Sequence, residues 1–173
     1  MEQIAMLTLR PGTLSDAPKM AEIFNHWVRT STVIFSNHEL SADEMAKKLT
    51  PIINGGFPFF VATDDNDMVM GYAYAHAYHP DPVYSGSWEL TEYLSSNALG
   101  NKTGTRLFHA LVDECKTRGA HVLISCITAG NEACERMNLS AGFTLSGIIP
   151  QAGYKFGLWL DDAIYTKILS DTD

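Results

Sequence analysis

The residues of this sequence best equipped for chemistry lie between 88 and 111. They read as a strand carrying an acid, then a polar loop with two glycines, then an amphipathic helix. A strand sends alternate side chains to opposite faces. Trp88, Leu90, Glu92 and Leu94 therefore point one way, and Glu89, Thr91 and Tyr93 the other. Glu89 sits between Trp88 and Leu90, where an acid is costly to bury unless it has a partner or a task. A partly buried carboxylate at such a place is suited to take a proton from a reacting group. Pattern alone favours a plainer alternative, a strand glutamate facing water, and Glu92 is expected to be exposed or salt-bridged. The loop 99–105 opens a helix with an expected apolar face of Leu107, Ala110, Leu111 and Cys115. A helix N-terminus offers free N–H groups and partial positive charge, so it can hold a phosphate. Gly100 and Gly104 would let the backbone approach that phosphate, and Lys102 would either crowd it or add a cation beside it. An ordinary glycine-containing helix entry explains the loop equally well. Asn131, after Gly130, fits a helix N-cap.

Other elements must position these groups. Residues 7–10 read as a first strand, and Thr13 with Asp16 as a capping box before a helix carrying Met20, Ile23, Phe24, Trp27 and Val28 at helical spacing. Residues 30–40 are expected to be loop. Ser41 and Glu44 open a second helix, which Pro51 should kink or end and Gly55-Gly56 should close. Strands at 59–63 and 68–78 form a hairpin around the turn 64–67. The 88 strand and its helix follow, then an apolar central strand at 121–128 and a helix at 131–141. Final strands are expected at 144–151 and 161–169, joined by the glycine, lysine and aromatic segment 153–160. The order β-α-α-β-β-β-α-β-α-β-β mixes hairpins with crossovers and predicts an α/β fold with a mixed central sheet flanked by helices.

At 173 residues the sequence predicts one domain over 1–173, with its core at about 7–169. A formal net charge of −8 disfavours nucleic acid and anionic membranes as partners. No signal peptide and no membrane-length apolar run is visible. Cys115, Cys126 and Cys134 are odd in number and fall in expected regular elements, which fits a reducing cytoplasm. No metal is expected: Cys-x-x-Cys is absent, and His76 and His79 sit at an odd offset on an expected strand.

The chain resembles the GCN5-related N-acetyltransferases (GNAT), and among them the phosphinothricin acetyltransferase branch. The resemblance rests on Tyr84 five residues before Glu89, on Tyr93 and the loop 99–105, on Gly130-Asn131 followed by Ala141-Gly142-Phe143, and above all on Lys155-Phe156-Gly157-Leu158-Trp159-Leu160-Asp161. The superfamily's pyrophosphate loop, Gln/Arg-x-x-Gly-x-Gly/Ala, corresponds here to Leu99, Lys102 and Gly104, of which only Gly104 fits. The resemblance implies an enzyme that moves acetyl from the cosubstrate acetyl-CoA to the primary amine of a small, amino-acid-like molecule by direct transfer. It implies Glu89 as general base, and acetyl-CoA held by Tyr93, Leu94, Gly100, Asn101, Lys102, Thr103, Gly104, Thr105 and Asn131. The acceptor would be lined by Tyr84, Glu89 and Lys155, although the Lys155 segment fits a dimer contact as well. The same resemblance implies a homodimer. Where the superfamily often has a Tyr or His that protonates the departing thiolate, this chain has Asn138, which cannot. The segment 79–85 lacks the arginines that the branch often carries for acidic substrate groups. Two further readings stay open: a non-catalytic acyl-CoA or small-molecule binding module, and an acetyltransferase of protein N-termini.

Overall fold

The computed structural model describes residues 7–169; the outermost residues of the expected domain, 1–6 and 170–173, lie outside the described residues. Seven strands, β1 (Thr8–Pro11), β2 (Phe59–Thr63), β3 (Val69–Ala77), β4 (Ser87–Leu94), β5 (Val122–Thr128), β6 (Thr144–Lys155) and β7 (Leu158–Ile168), form one sheet in the order β1-β2-β3-β4-β5-β7-β6. All pairings are antiparallel except β4 with β5. The mixed α/β architecture agrees with the fold class that the sequence predicts.

Helices α1 (Ala17–Thr30) and α2 (Ala42–Asn54) cover one face, and α3 (Thr103–Thr117) and α4 (Glu132–Ser140) the other. Strand alternation decides which residues meet which helices. Tyr72 and Tyr74 of β3 pack with Met20, Phe24, Met45 and Leu49. The intervening Ala73 and Ala75 pack with Leu107, Leu111 and Cys115 of α3. Side chains this small admit α3 close to the sheet. Its buried face is completed by Phe108 and Val112, whereas Ala110 is only partly buried. No helix among the described residues is long and apolar enough to cross a membrane.

Two boundaries differ from expectation. Helix α2 runs through Pro51 to Asn54. Pro51 is exposed and falls in the last turn, so the carbonyl that loses its partner can turn to water. The segment 153–160 is not a connector: β6 and β7 continue through it as a long hairpin closed at Phe156 and Gly157. Both turn residues have positive φ, 52° and 77°, as in the two-residue turns whose twist matches the flanking strands.

That extension sets the place of Lys155. Its side chain is buried, and Nζ donates to the carbonyls of Ser31 and Ile34 at 2.7 and 2.9 Å. It thereby ties the hairpin to the α1–α2 connection. Lys155→Met keeps most of the apolar stem and strands both carbonyls, a loss of about 2 kcal/mol. For a chain of this size that predicts a melting temperature lower by about 4–8 °C in calorimetry. A fall of less than about 1 °C would show that the two bonds do not hold the loop.

Candidate active site

Strands β4 and β5 pair only at Ser87, Trp88 and Glu89 with Val122, Leu123 and Ile124. Beyond Glu89 the partnership stops, while β4 keeps β3 from Ala77↔Trp88 to Gly71↔Leu94 and β5 keeps β7 along its full length. Each strand is thus held from outside, and the sheet stays open in the middle. Backbone groups of 90–94 on the β5 side have no strand partner, and buried backbone groups of that kind are rare without a ligand or water.

The tips of the opening are pinned. Trp27 Nε1 in α1 donates to the Leu94 carbonyl at 2.6 Å, and Thr128 Oγ1 at the end of β5 donates to the Thr32 carbonyl at 2.7 Å. Asn131 caps α4, its side chain accepting from the Cys134 N–H at 3.3 Å.

A cavity of about 620 Å³ fills the opening. Its lining brings together Glu89, Tyr93, Leu94, Gly100, Lys102, Thr103, Gly104, Thr105 and Asn131. It includes Trp27 and Val33 from the α1 side and Phe108, Met137 and Asn138 from the α3–α4 side, so it passes through the sheet beside β4. Glu89 is half-buried in it. Neighbouring groups feel its charge. The Tyr74 hydroxyl is pushed up to about 12, by burial first and by Glu89 in addition. The Tyr93 hydroxyl is also raised, chiefly by burial. On α2, burial lowers Lys48, against the attraction of Glu89.

The loop before α3 has a particular backbone. Gly100 (φ 81°) and Lys102 (φ 63°) are both left-handed. That conformation costs an L side chain about 1–2 kcal/mol, which explains the glycine that the resembling family has at the Lys102 position. The turn leads into the N-terminus of the 15-residue α3, an end of a helix where N–H groups lack intrahelical partners. Asn101 does not line the cavity; its Oδ1 accepts the Thr103 N–H at 3.0 Å and holds the turn from behind.

Two residues assigned to the acceptor lie elsewhere. Lys155 is absent from this lining and instead borders a separate cavity of about 110 Å³ with Phe35 and Leu160. Its charge is spent on the loop carbonyls described above. Tyr84, in the short 3₁₀ turn Pro82–Tyr84, is 40% exposed and packs against His79 in a tilted arrangement, with ring centroids 4.7 Å apart. Asp81 uses its carboxylate to accept the Val83 N–H and so caps that turn. Lys102 is the one cation lining the large cavity among the described residues.

One expectation about a neighbouring residue is corrected. Glu92 is neither exposed nor salt-bridged: Oε2 is buried and has no partner among the described residues, because the strand face it occupies packs under α3. Burial pushes its carboxyl well above the usual carboxylate range. Cys126 opens onto the cavity, yet its surroundings, desolvation first and Glu89 second, push the thiol up to about 12. A thiol so protonated at neutral pH is a poor covalent nucleophile. Among the described residues no group of three or more His, Cys, Asp or Glu side chains is placed to hold a metal ion.

The chain has counterparts among known proteins along most of its length. Residues 9–164 match the acetyltransferase (GNAT) domain family. The phosphinothricin N-acetyltransferase of Alcaligenes faecalis is 30% identical over 167 residues, which cover 96% of this chain and 84% of that protein. The crystal structure of a GNAT-superfamily phosphinothricin acetyltransferase from Sinorhizobium meliloti, in complex with AcCoA, superposes with a TM-score of 0.93 at 30% identity, over 96% of this chain and 90% of that one. A ribosomal-protein-alanine N-acetyltransferase structure from Brucella melitensis superposes with a TM-score of 0.90 at 35% identity, over 94% of this chain and all of that one. The chain belongs to the GNAT family of N-acetyltransferases.

Proposed function

We propose that the protein transfers acetyl from acetyl-CoA to the primary amine of a small, amino-acid-like molecule by direct attack, with Glu89 as the general base. The observation that carries this reading is the single cavity shared by Glu89, the unpaired edge of β4 and the left-handed loop before α3. The loop N–H groups and Lys102 would hold the pyrophosphate, and Asn131 and the open edge at Tyr93 and Leu94 the pantetheine arm. A backbone N–H of that edge would polarise the thioester carbonyl. The amine nitrogen would attack the carbonyl carbon while Glu89 takes its proton, directly or through water.

The relatives' substrates support a small acceptor, and the name of the Brucella protein favours the alternative of a protein N-terminus. A non-catalytic module would bind acetyl-CoA without turning it over. Because Lys155 is committed to the loop carbonyls and the segment 79–85 contains no Lys or Arg, neither region supplies a permanent cation for an acidic acceptor group. We infer that phosphinothricin is a poor substrate. A homodimer is supported by the exposed Tyr154, Phe156, Leu158 and Trp159 at the hairpin tip, an apolar cluster of the kind found at subunit contacts. A cytoplasmic setting fits the three free cysteines.

Four outcomes follow from this reading. Desulfo-CoA well above its dissociation constant raises the melting temperature of the wild type, and Lys102→Glu weakens that effect; no shift at millimolar ligand contradicts the pyrophosphate site. Glu89→Gln lowers turnover by roughly 10²-fold or more, with little change in CoA affinity; unchanged thiol release removes Glu89 from the mechanism. In a panel of amino-acid analogues, polyamines and peptides, free amino-acid analogues give the fastest thiol release, while phosphinothricin stays below a kcat/KM of about 10⁴ M⁻¹s⁻¹. Peptides leading the panel would favour the N-terminal alternative. Light scattering gives twice the chain mass; a monomer at working concentration rejects the dimer.

A further inference from the structure

The buried carboxyl of Glu92 has no task in the mechanism above. It lies three residues from Glu89 on β4, and this odd offset sends the two side chains to opposite faces of the sheet. Both nevertheless line the same cavity, because that cavity runs through the opening between β4 and β5. Glu89 faces the α1–α2 side, and Glu92 the side where α3 and α4 begin. A carbon placed as Cβ on Gly104, in the first turn of α3, would come within 2.8 Å of Glu92 Oε1. The carboxyl is therefore tucked directly beneath the first turn of α3, and glycine at 104 makes room for it.

Buried polar atoms without partners are few in folded proteins, and each asks for an explanation. Two of them belong to residues in the lining of this one cavity: Glu92 Oε2 and Asn138 Oδ1. Asn138 is wholly buried, with Nδ2 donating to the Cys134 carbonyl at 2.9 Å and Oδ1 without a partner among the described residues. It has no acidic proton to give. Burial pushes the Glu92 carboxyl well above the usual carboxylate range and its Oε2 finds no partner among the described residues, which favours the neutral acid.

We propose that Glu92 is the general acid that protonates the CoA thiolate as it leaves, in the role that Asn138 cannot fill. This rests on the direct-transfer reading. The amine nitrogen bonds to the thioester carbonyl carbon and yields one proton to Glu89. The C–S bond then breaks, its electron pair stays on sulfur, and the Glu92 O–H proton passes to that sulfur. The products are the amide and the CoA thiol, with Glu89 protonated and Glu92 ionised. One proton returned from Glu89 to Glu92 through solvent restores both. Base and acid thus stand on one strand, on opposite faces of the sheet, with the acyl group between them. The titratable group facing Glu92 from α4 is Cys134, whose thiol is pushed up to about 11 by burial first and by Glu92 second; β3 offers only the apolar Ala73 opposite it.

Glu92→Gln keeps the shape and removes the acid. With acetyl-CoA and the fastest amine of the panel, kcat falls by about 10²-fold, while the desulfo-CoA dissociation constant and the acetyl-CoA KM stay within about twofold. The wild-type kcat also falls at alkaline pH as Glu92 ionises, and the variant lacks that limb. Glu92→Val, suited to an apolar strand position, carries the same expectation should the Gln variant not fold. Wild-type kcat in either variant, or a reduced kcat that keeps the alkaline limb, overturns the assignment. Glu89→Gln inactive beside Glu92→Gln fully active would fall on the acid alone; both variants fully active would fall on the carboxylate mechanism as a whole.

Discussion

The structure depends on a hydrogen-bonding constraint: β4 and β5 share only three residue pairs and then part. A sheet ordinarily closes such a gap, because unpaired backbone inside a protein is costly. Here it cannot close. β4 is registered on β3 to its last residue, Leu94, and β5 on β7 to its last, Thr128. The two tips are also tied to α1 and its following loop by Trp27 and Thr128. The opening is a consequence of what holds each strand from outside, and a ligand with amide groups of its own can satisfy the exposed edge as an added strand would.

The opening also explains how one strand can serve two environments. Alternation normally separates neighbours on a strand into two unrelated cores, as Tyr72 and Tyr74 are separated from Ala73 and Ala75 on β3. On β4, past its last partner on β5, residues from both faces border the same space. The half-buried Glu89 and the deeply placed Glu92 are then two carboxyls in one cavity, and burial pushes that of Glu92 well above the usual carboxylate range. Such a pair is a physical basis for dividing the roles of base and acid.

Much of this was legible in the sequence. Period-two and helical spacing located the sheet strands and all four helices, and the run from 88 to 111 marked the strand, loop and helix that border the large cavity. What escaped depended on tertiary partners. Lys155 read as a cation available to an acceptor, but its use is fixed by carbonyls more than 120 positions away in sequence. The extension of β6 and β7 into 153–160 depended on their pairing with each other, which the glycines there concealed. Pro51 did not end its helix because water can serve the carbonyl it strands. Glu92 was the readable miss. It alternates with Trp88, Leu90 and Leu94, and an acid in register with three apolar residues marks the core side of a strand.

Amide hydrogen exchange with and without desulfo-CoA tests the central claim most directly, because it reads the unpaired backbone itself. The account predicts that ligand slows exchange in residues 90–94 and 100–105 while β1 and β2 are unchanged. Protection confined to other segments, with 90–94 exchanging as fast as in the free protein, would contradict it.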